Sequence, residues 1–456
     1  MRIESDFLGE KSLPDDALFG IQSARAEENF ALNYKKTSLQ LLKAMILVKK
    51  SAAAAYERIE ARSGRTENAE KYRNIVCACD FLKERMENSR EIEGNFVTDA
   101  LQGGAGTSAN MNVNEVIANV ALRLMGEPPG AYHVIHPIDH VNRGQSTNDV
   151  FPTSLRIAAI LLLRELSGQC AKLQESLQRK EAEWADVKKL GRTELMDALP
   201  ITLGEEFGSY AQALSRDRWR LYKVEERLRQ VNLGGTGVGK ADNADRQYRV
   251  LVYEFLREWT GVGLAPAEYP MDITQNNDVF VEVSGLLKAL SVNLSKIAGD
   301  VRLMNSGPRG GLGELHAQAL QMGSTIMPGK MNPVIPEMAI QAAIKVQAND
   351  FAITVAASRG EFELNAFLPL IADALLESLT LLERSLFLFR TKCVDTLAAD
   401  TEQCKKLLDS SLSFAAAFVP VLGYDQVSRV VMEHGRNAER ILSEMSVSVV
   451  RKPPAS

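Results

Sequence analysis

A chain of 456 residues with 45% apolar and 24% charged side chains is long enough to bury a large core. Its formal charge of −5 is mild and gives no reason to expect nucleic acid or an anionic membrane as a partner. Of five cysteines (Cys77, Cys79, Cys170, Cys393, Cys404) only Cys77 and Cys79 are close, without C-x-x-C spacing, and all read as free thiols in a reducing compartment. Residues 1–6 have no apolar signal core, and no run approaches ~18 apolar residues, so the expectation is a cytoplasmic protein without a membrane span.

In chain order, residues 1–144 read as a mixed, mainly helical N-terminal domain. Long helical stripes then dominate residues 145–394. Leu155, Leu162, Leu166, Leu173, Leu177 and Trp184 recur in steps of four and seven, on one face of a continuous helix. Val279, Val283, Leu287, Leu290, Leu294, Ile297 and Val301 do the same, as do Ile340, Ile344, Phe351 and Val355, and then Ile371, Leu375, Leu379, Leu382, Leu386 and Phe389. Such helices far exceed the mean of ~11–12 residues and imply a bundle. The fold class is therefore all-α. Residues 395–456 read as a small helical C-terminal domain.

Four polar patches interrupt the helical pattern: residues 102–108 (QGGAGTS), 145–149 (QSTND), 191–194 (GRTE) and 323–333 (GSTIMPGKMNP). Each offers hydroxyls and backbone N–H groups, and three carry glycines that let backbone approach a ligand. The first three are expected to lead into helices, whose N-termini favour anions. Lys330 adds a positive charge. The set suits a small dicarboxylate. Singly, residues 145–149 and Thr107-Ser108 also fit helix caps, and residues 323–333 a plain surface loop.

Residues 323–333 closely resemble the signature loop of the aspartase/fumarase superfamily, commonly G-S-S-x-M-P-x-K-x-N-P. Residues 103–114 (GGAGTSANMNVN) and 136–149 (HPIDHVNRGQSTND) resemble its substrate-binding stretches, and the likeness runs from about residue 3 to about residue 435. The stretch 102–108 is similar to the aspartase form rather than to the fumarase form Q-T-G-S-G-T-Q-S. The resemblance implies a three-domain fold with a central bundle of long helices, assembled as a homotetramer whose sites each draw on three subunits. It implies a cofactor-free ammonia-lyase that eliminates ammonia from L-aspartate, giving fumarate through an aci-carboxylate. Ser324 would be the base, with Lys330 beside it. Thr107, Ser146, Thr147 and Thr325 would hold the β-carboxylate, and Thr193, Lys330 and Asn332 the α-carboxylate. Asn148, with Thr107, would lie near the amine.

Two departures stand out. Glu194 follows Thr193 where the family has His or Gln; it would attract the substrate ammonium, or turn away into a salt bridge. Residues 239–243 read GKADN where the family has G-T-G-L-N, which makes Lys240 a candidate partner for Glu194. The five histidines form no metal pattern, and His136 and His140 read as loop-structuring. Arg25 is a candidate for steering carboxylates. The competing readings are a fumarase, a lyase for another amine, and a structural protein on a retired lyase scaffold.

Overall fold

The computed structural model describes residues 1–451 apart from 90 and 436. It separates into two compact units, neither of them contiguous in the chain. The first holds Met1–Ser167, Trp219–Ser291 and Ile344–Glu383; the second holds Gly168–Arg218, Val292–Ala343 and Arg384–Ser456.

The first unit opens with an antiparallel hairpin, β1 (Arg2–Asp6) and β2 (Gly9–Leu13), followed by α1 (Ile21–Asn29), α2 (Leu39–Arg62), α3 (Thr66–Asn88) and α4 (Thr107–Leu124). On α3, Tyr72, Ile75, Cys79, Leu82 and Met86 are buried in steps of three and four, the spacing that keeps one face apolar. That face packs on α2, where the small residues Ser51 to Ala55 admit close approach. The core positions of α2 run Met45, Lys49, Ala52, Tyr56 and Ile59, so a lysine occupies an apolar register.

Next comes α5 (Thr147–Glu183), 37 residues or about 55 Å at 1.5 Å per residue, which continues into the second unit. Leu155, Leu162, Leu166, Leu173, Leu177 and Trp184 are all buried, as the stripe predicts. An antiparallel hairpin follows, β3 (Lys188–Thr193) and β4 (Met196–Thr202), and then α6 (Leu203–Leu228). A short parallel pair, β5 (Gln230–Val231) and β6 (Ala265–Pro266), brackets α7 (Arg246–Thr260). After the short α8 (Pro270–Gln275) comes α9 (Asp278–Met304), whose stripe is buried from Val283 to Val301. The pair β7 (Leu315–His316) and β8 (Ala398–Ala399) flanks α10 (Val334–Ala357) and α11 (Leu368–Lys392). The α11 stripe is fully buried, at 0% exposure from Ile371 to Phe389.

α10 differs. Its buried residues are Ala339, Ala343, Val346, Ile353 and Ala356, while the expected stripe lies on the opposite face: Ile344, Phe351 and Val355 are 57%, 72% and 45% exposed. The second unit ends with α12 (Thr401–Asp409), α13 (Val419–Leu422), α14 (Tyr424–His434) and α15 (Ala438–Arg451). Ala415, Leu422, Val427, Val430, Ile441 and Met445 form a small core of their own there. Long helices, with four two-stranded sheets among the described residues, make this an all-α fold with a central bundle. All five cysteines are free thiols. Among the described residues no helix is long and apolar enough to cross a membrane.

Candidate active site

In the first unit, residues 104–106 all have positive φ (77°, 53° and 93°), which turns the chain sharply into α4. Gly106 is obligatory: a Cβ there would stand 2.1 Å from the Phe151 ring. This close approach sets Thr107, the first residue of α4, beside the start of α5. Thr107 Oγ1 donates to the Gly104 carbonyl at 2.7 Å and remains exposed.

Ser146 caps α5. Its Oγ accepts the Asn148 N–H at 3.2 Å, and Asp149 Oδ1 accepts the Ser146 N–H at 2.9 Å, a reciprocal capping box. The cap and the ligand-binding readings of this patch are therefore compatible, because capping uses the oxygen of Ser146 and leaves its hydrogen. The Asn148 amide donates to Gly237 O at 2.8 Å, which keeps Oδ1 as an acceptor. Asp149 Oδ2 takes the Gly234 and Thr236 N–H groups at 3.0 and 2.9 Å, tying the Gly-rich segment beneath the helix start. Burial pushes the Asp149 carboxyl up to about 6, opposed by its backbone donors and by Lys49. Burial likewise pulls Lys49 down to about 7.

In the second unit, residues 191–194 do not lead into a helix, contrary to expectation. Thr193 ends β3, and Glu194 and Leu195 form a two-residue turn. Both have positive φ (53° and 65°), as the right-handed strand twist requires of such a turn. Strand pairing across this short link overrides the capping potential of Thr193. Thr193 and Glu194 are exposed at the tip. Among the described residues Glu194 has no ion-pair partner, and Lys240 instead faces Asp242 at 4.0 Å. The hairpin's base is anchored by charge: Lys189 Nζ lies 3.0 Å, and Arg192 Nη1 2.9 Å, from the fully buried Glu314 carboxylate.

Residues 323–333 form an exposed loop pinched at its base. The Gly323 N–H donates to Lys330 O at 2.9 Å, and Asn332 Nδ2 donates to Gly323 O at 3.1 Å. A Cβ on Gly323 would stand 2.5 Å from Lys330 O, so the pinch needs glycine. Ser324 Oγ accepts two backbone N–H groups, from Ile326 at 3.2 Å and Met327 at 3.0 Å. Donors aimed at a hydroxyl oxygen favour its ionised form, which is what a serine base needs. Thr325 and Lys330 are exposed and Asn332 is half-buried.

Arg25 is not available for steering carboxylates. Its guanidinium grips Asp6 at 2.9 and 2.8 Å and Gly9 O at 3.0 Å, and holds the Asp6 carboxyl below its usual range. His136 and His140 do structure their loop: His136 Nδ1 accepts the Ile138 and Asp139 N–H groups, and His140 Nδ1 accepts the His136 N–H at 2.8 Å. Lys49 was not among the expected residues. Its signal in the sequence is a lysine in the apolar register of α2.

The lyase family profile matches residues 9–348. The chain belongs to the lyase family of the aspartases and fumarases. It is 42% identical to a Bacillus aspartate ammonia-lyase, covering 97% of this chain and 92% of that one. It is 39% identical to an aspartate ammonia-lyase from Escherichia coli K12 with the same coverages. Among solved structures, the Brucella melitensis fumarate lyase:delta crystallin superposes with a TM-score of 0.88 at 43% identity, covering 98% and 95% of the two chains. A class II fumarase from Schistosoma mansoni superposes at 0.89 with 28% identity, covering 98% and 95%. With these relatives the lyase is an enzyme of the carbon–nitrogen class.

Proposed function

We propose that this lyase is an aspartate ammonia-lyase, acting in the cytoplasm as a homotetramer on L-aspartate. The observation that carries the reading is identity of about 40% to aspartate ammonia-lyases over nearly the whole chain. The three-domain division at 145 and 395, with each site drawn from three subunits, belongs to the same proposal.

The difficult step is removal of a weakly acidic proton from Cβ, next to a carboxylate. Ser324, ionised after losing its own hydroxyl proton to solvent and held so by two backbone N–H groups, takes that proton as the base and becomes the hydroxyl again. The electron pair flows into the β-carboxylate, giving a doubly charged aci-carboxylate, and its collapse expels ammonia to leave fumarate. Ser146, Thr147 and Thr325 donate to the β-carboxylate, joined by Thr107 once its hydroxyl turns from the Gly104 carbonyl to the substrate; Thr193, Lys330 and Asn332 hold the α-carboxylate. One well-placed donor to such an anion contributes ~3–4 kcal/mol. The Asn148 Oδ1, left as an acceptor, suits the ammonium.

Ser324→Ala tests this. Deamination followed by fumarate absorbance should lose about a hundred- to ten-thousandfold in kcat with little change in KM. A kcat equal to that of the unaltered enzyme would remove Ser324 from the chemistry. The second reading, a fumarase or a lyase for another amine, is favoured by one residue, Glu194, exposed and without an ion-pair partner among the described residues. Assaying fumarate with water, ammonium and diamines as competing nucleophiles separates the two.

A further inference from the structure

Behind the start of α5 lies a chain of buried polar groups that packing alone does not require. Lys49, Asn110 and Asn114 are 0%, 1% and 0% exposed. Lys49 Nζ stands 2.6 Å from Asn142 Oδ1. The other end of that amide donates to the Gln145 carbonyl at 3.2 Å. A carbonyl only accepts, so the Asn142 amide has one possible orientation, with Oδ1 toward Lys49. The same oxygen meets the side-chain amides of Asn110 and Asn114 at 3.3 and 3.2 Å, so both must present their nitrogens. The second N–H of Asn110 then points to Thr147 Oγ1 at 3.0 Å. The Thr147 oxygen is thereby an acceptor, and among the described residues nothing takes its own hydrogen.

This arrangement has a cost. The Oδ1 atoms of Asn110 and Asn114 are buried without a partner. Such an atom destabilises a fold, because it loses its bond to water and gains none in return. Apolar residues of similar size would avoid that, so the network specifies something other than stability.

We propose that Asn110, oriented by Asn142 and Lys49, is a positioning residue that makes the Thr147 hydroxyl a dedicated hydrogen-bond donor to the substrate. The inference rests on the reading of Thr147 as a carboxylate ligand. A hydroxyl whose oxygen already accepts favours a carboxylate, which only accepts, and disfavours an ammonium, which only donates. It therefore selects which end of an amino dicarboxylate sits at α5. Its bond strengthens as the carboxylate becomes a dianion, so its effect falls on kcat more than on KM.

The test is a double-mutant cycle on the assembled enzyme with L-aspartate. Asn110→Ala should lower kcat about tenfold with KM nearly unchanged, and Thr147→Ala should lower it further. In the Thr147→Ala background, Asn110→Ala should cause no additional loss, because no hydroxyl remains to be aimed. Asn110→Asp, whose carboxylate captures the hydroxyl hydrogen, should fall below Asn110→Ala. If Asn110→Ala fails to assemble, Asn110→Ser, which keeps a small polar side chain too short to reach Thr147, takes its place in the cycle. Equal losses from the Asn110 change in both backgrounds would overturn the positioning role alone. Unchanged kcat in Thr147→Ala, or no turnover of L-aspartate by the unaltered enzyme, would overturn the substrate reading and this role with it.

Discussion

Glu60 is a residue at which pH acts on stability. Its carboxylate is 1% exposed, yet it meets Arg65 and, at 2.9 Å, Arg143, whose guanidinium also covers the Tyr56 ring. Hydrogen bonding to Arg65, with Arg143 adding to it, holds the Glu60 carboxyl at about 2 instead of 4.5. The folded state thus releases this proton more readily than the unfolded chain does. The stabilisation is fully present above pH 4.5 and is lost as pH falls towards 2. Since both guanidiniums are about half exposed, a discounted value of about 1–2 kcal/mol is appropriate at neutral pH. Glu60→Gln should lower the unfolding free energy from urea titration by that amount at pH 7 and leave little difference near pH 2. An equal deficit at both pH values would show that shape, not charge, matters at this position. The Ser324 and Asn110 variants belong to this scale too, since each removes one group of known orientation.

At the scale of elements, the β3–β4 hairpin and the signature loop solve the same problem in different ways. The loop uses glycine where its backbone pinches. The hairpin holds two ordinary residues, Glu194 and Leu195, in the left-handed region, where a side chain strains against its own carbonyl. Leu195 is 75% exposed, so its apolar surface brings the subunit no burial. Leu195→Gly should therefore raise the urea midpoint, equivalent to about 0.5–1 kcal/mol, with Glu194 still at the tip. A fall instead would mean that Leu195 packs against something in the assembled enzyme. The buried Lys189–Glu314–Arg192 cluster below the turn explains how a strained tip is kept in place.

At the scale of the molecule, α10 has a second apolar face that this subunit leaves uncovered. Ile344, Phe351 and Val355 share a face at steps of seven and four and stand open. In the proposed tetramer this face is covered by other subunits, as contiguous exposed apolar surface normally is. Phe351→Glu should yield smaller species by light scattering, with helical content retained and deamination lost in parallel. A variant that remained tetrameric would exclude this face from the interface.

Much of this protein was legible in residue order alone. Period-seven stripes specify long helices because side chains recur on one face every two turns, and three of the four are buried as that rule demands. The loop at 323–333 was legible because its geometry is local: Gly323, Ser324, Lys330 and Asn332 bond one another and their neighbours within eleven residues. The hairpin at residues 188–202 was not, since Thr193-Glu194 resembles a cap until a pairing strand competes for the same backbone. Nor could spacing tell that the α10 stripe faces outwards, because periodicity marks a face without naming what covers it. The direction of the Thr147 hydroxyl depends on α2, α4 and the loop before α5 meeting in space. Hydrogen-bond polarity belongs to such a convergence, and only the tertiary structure decides it.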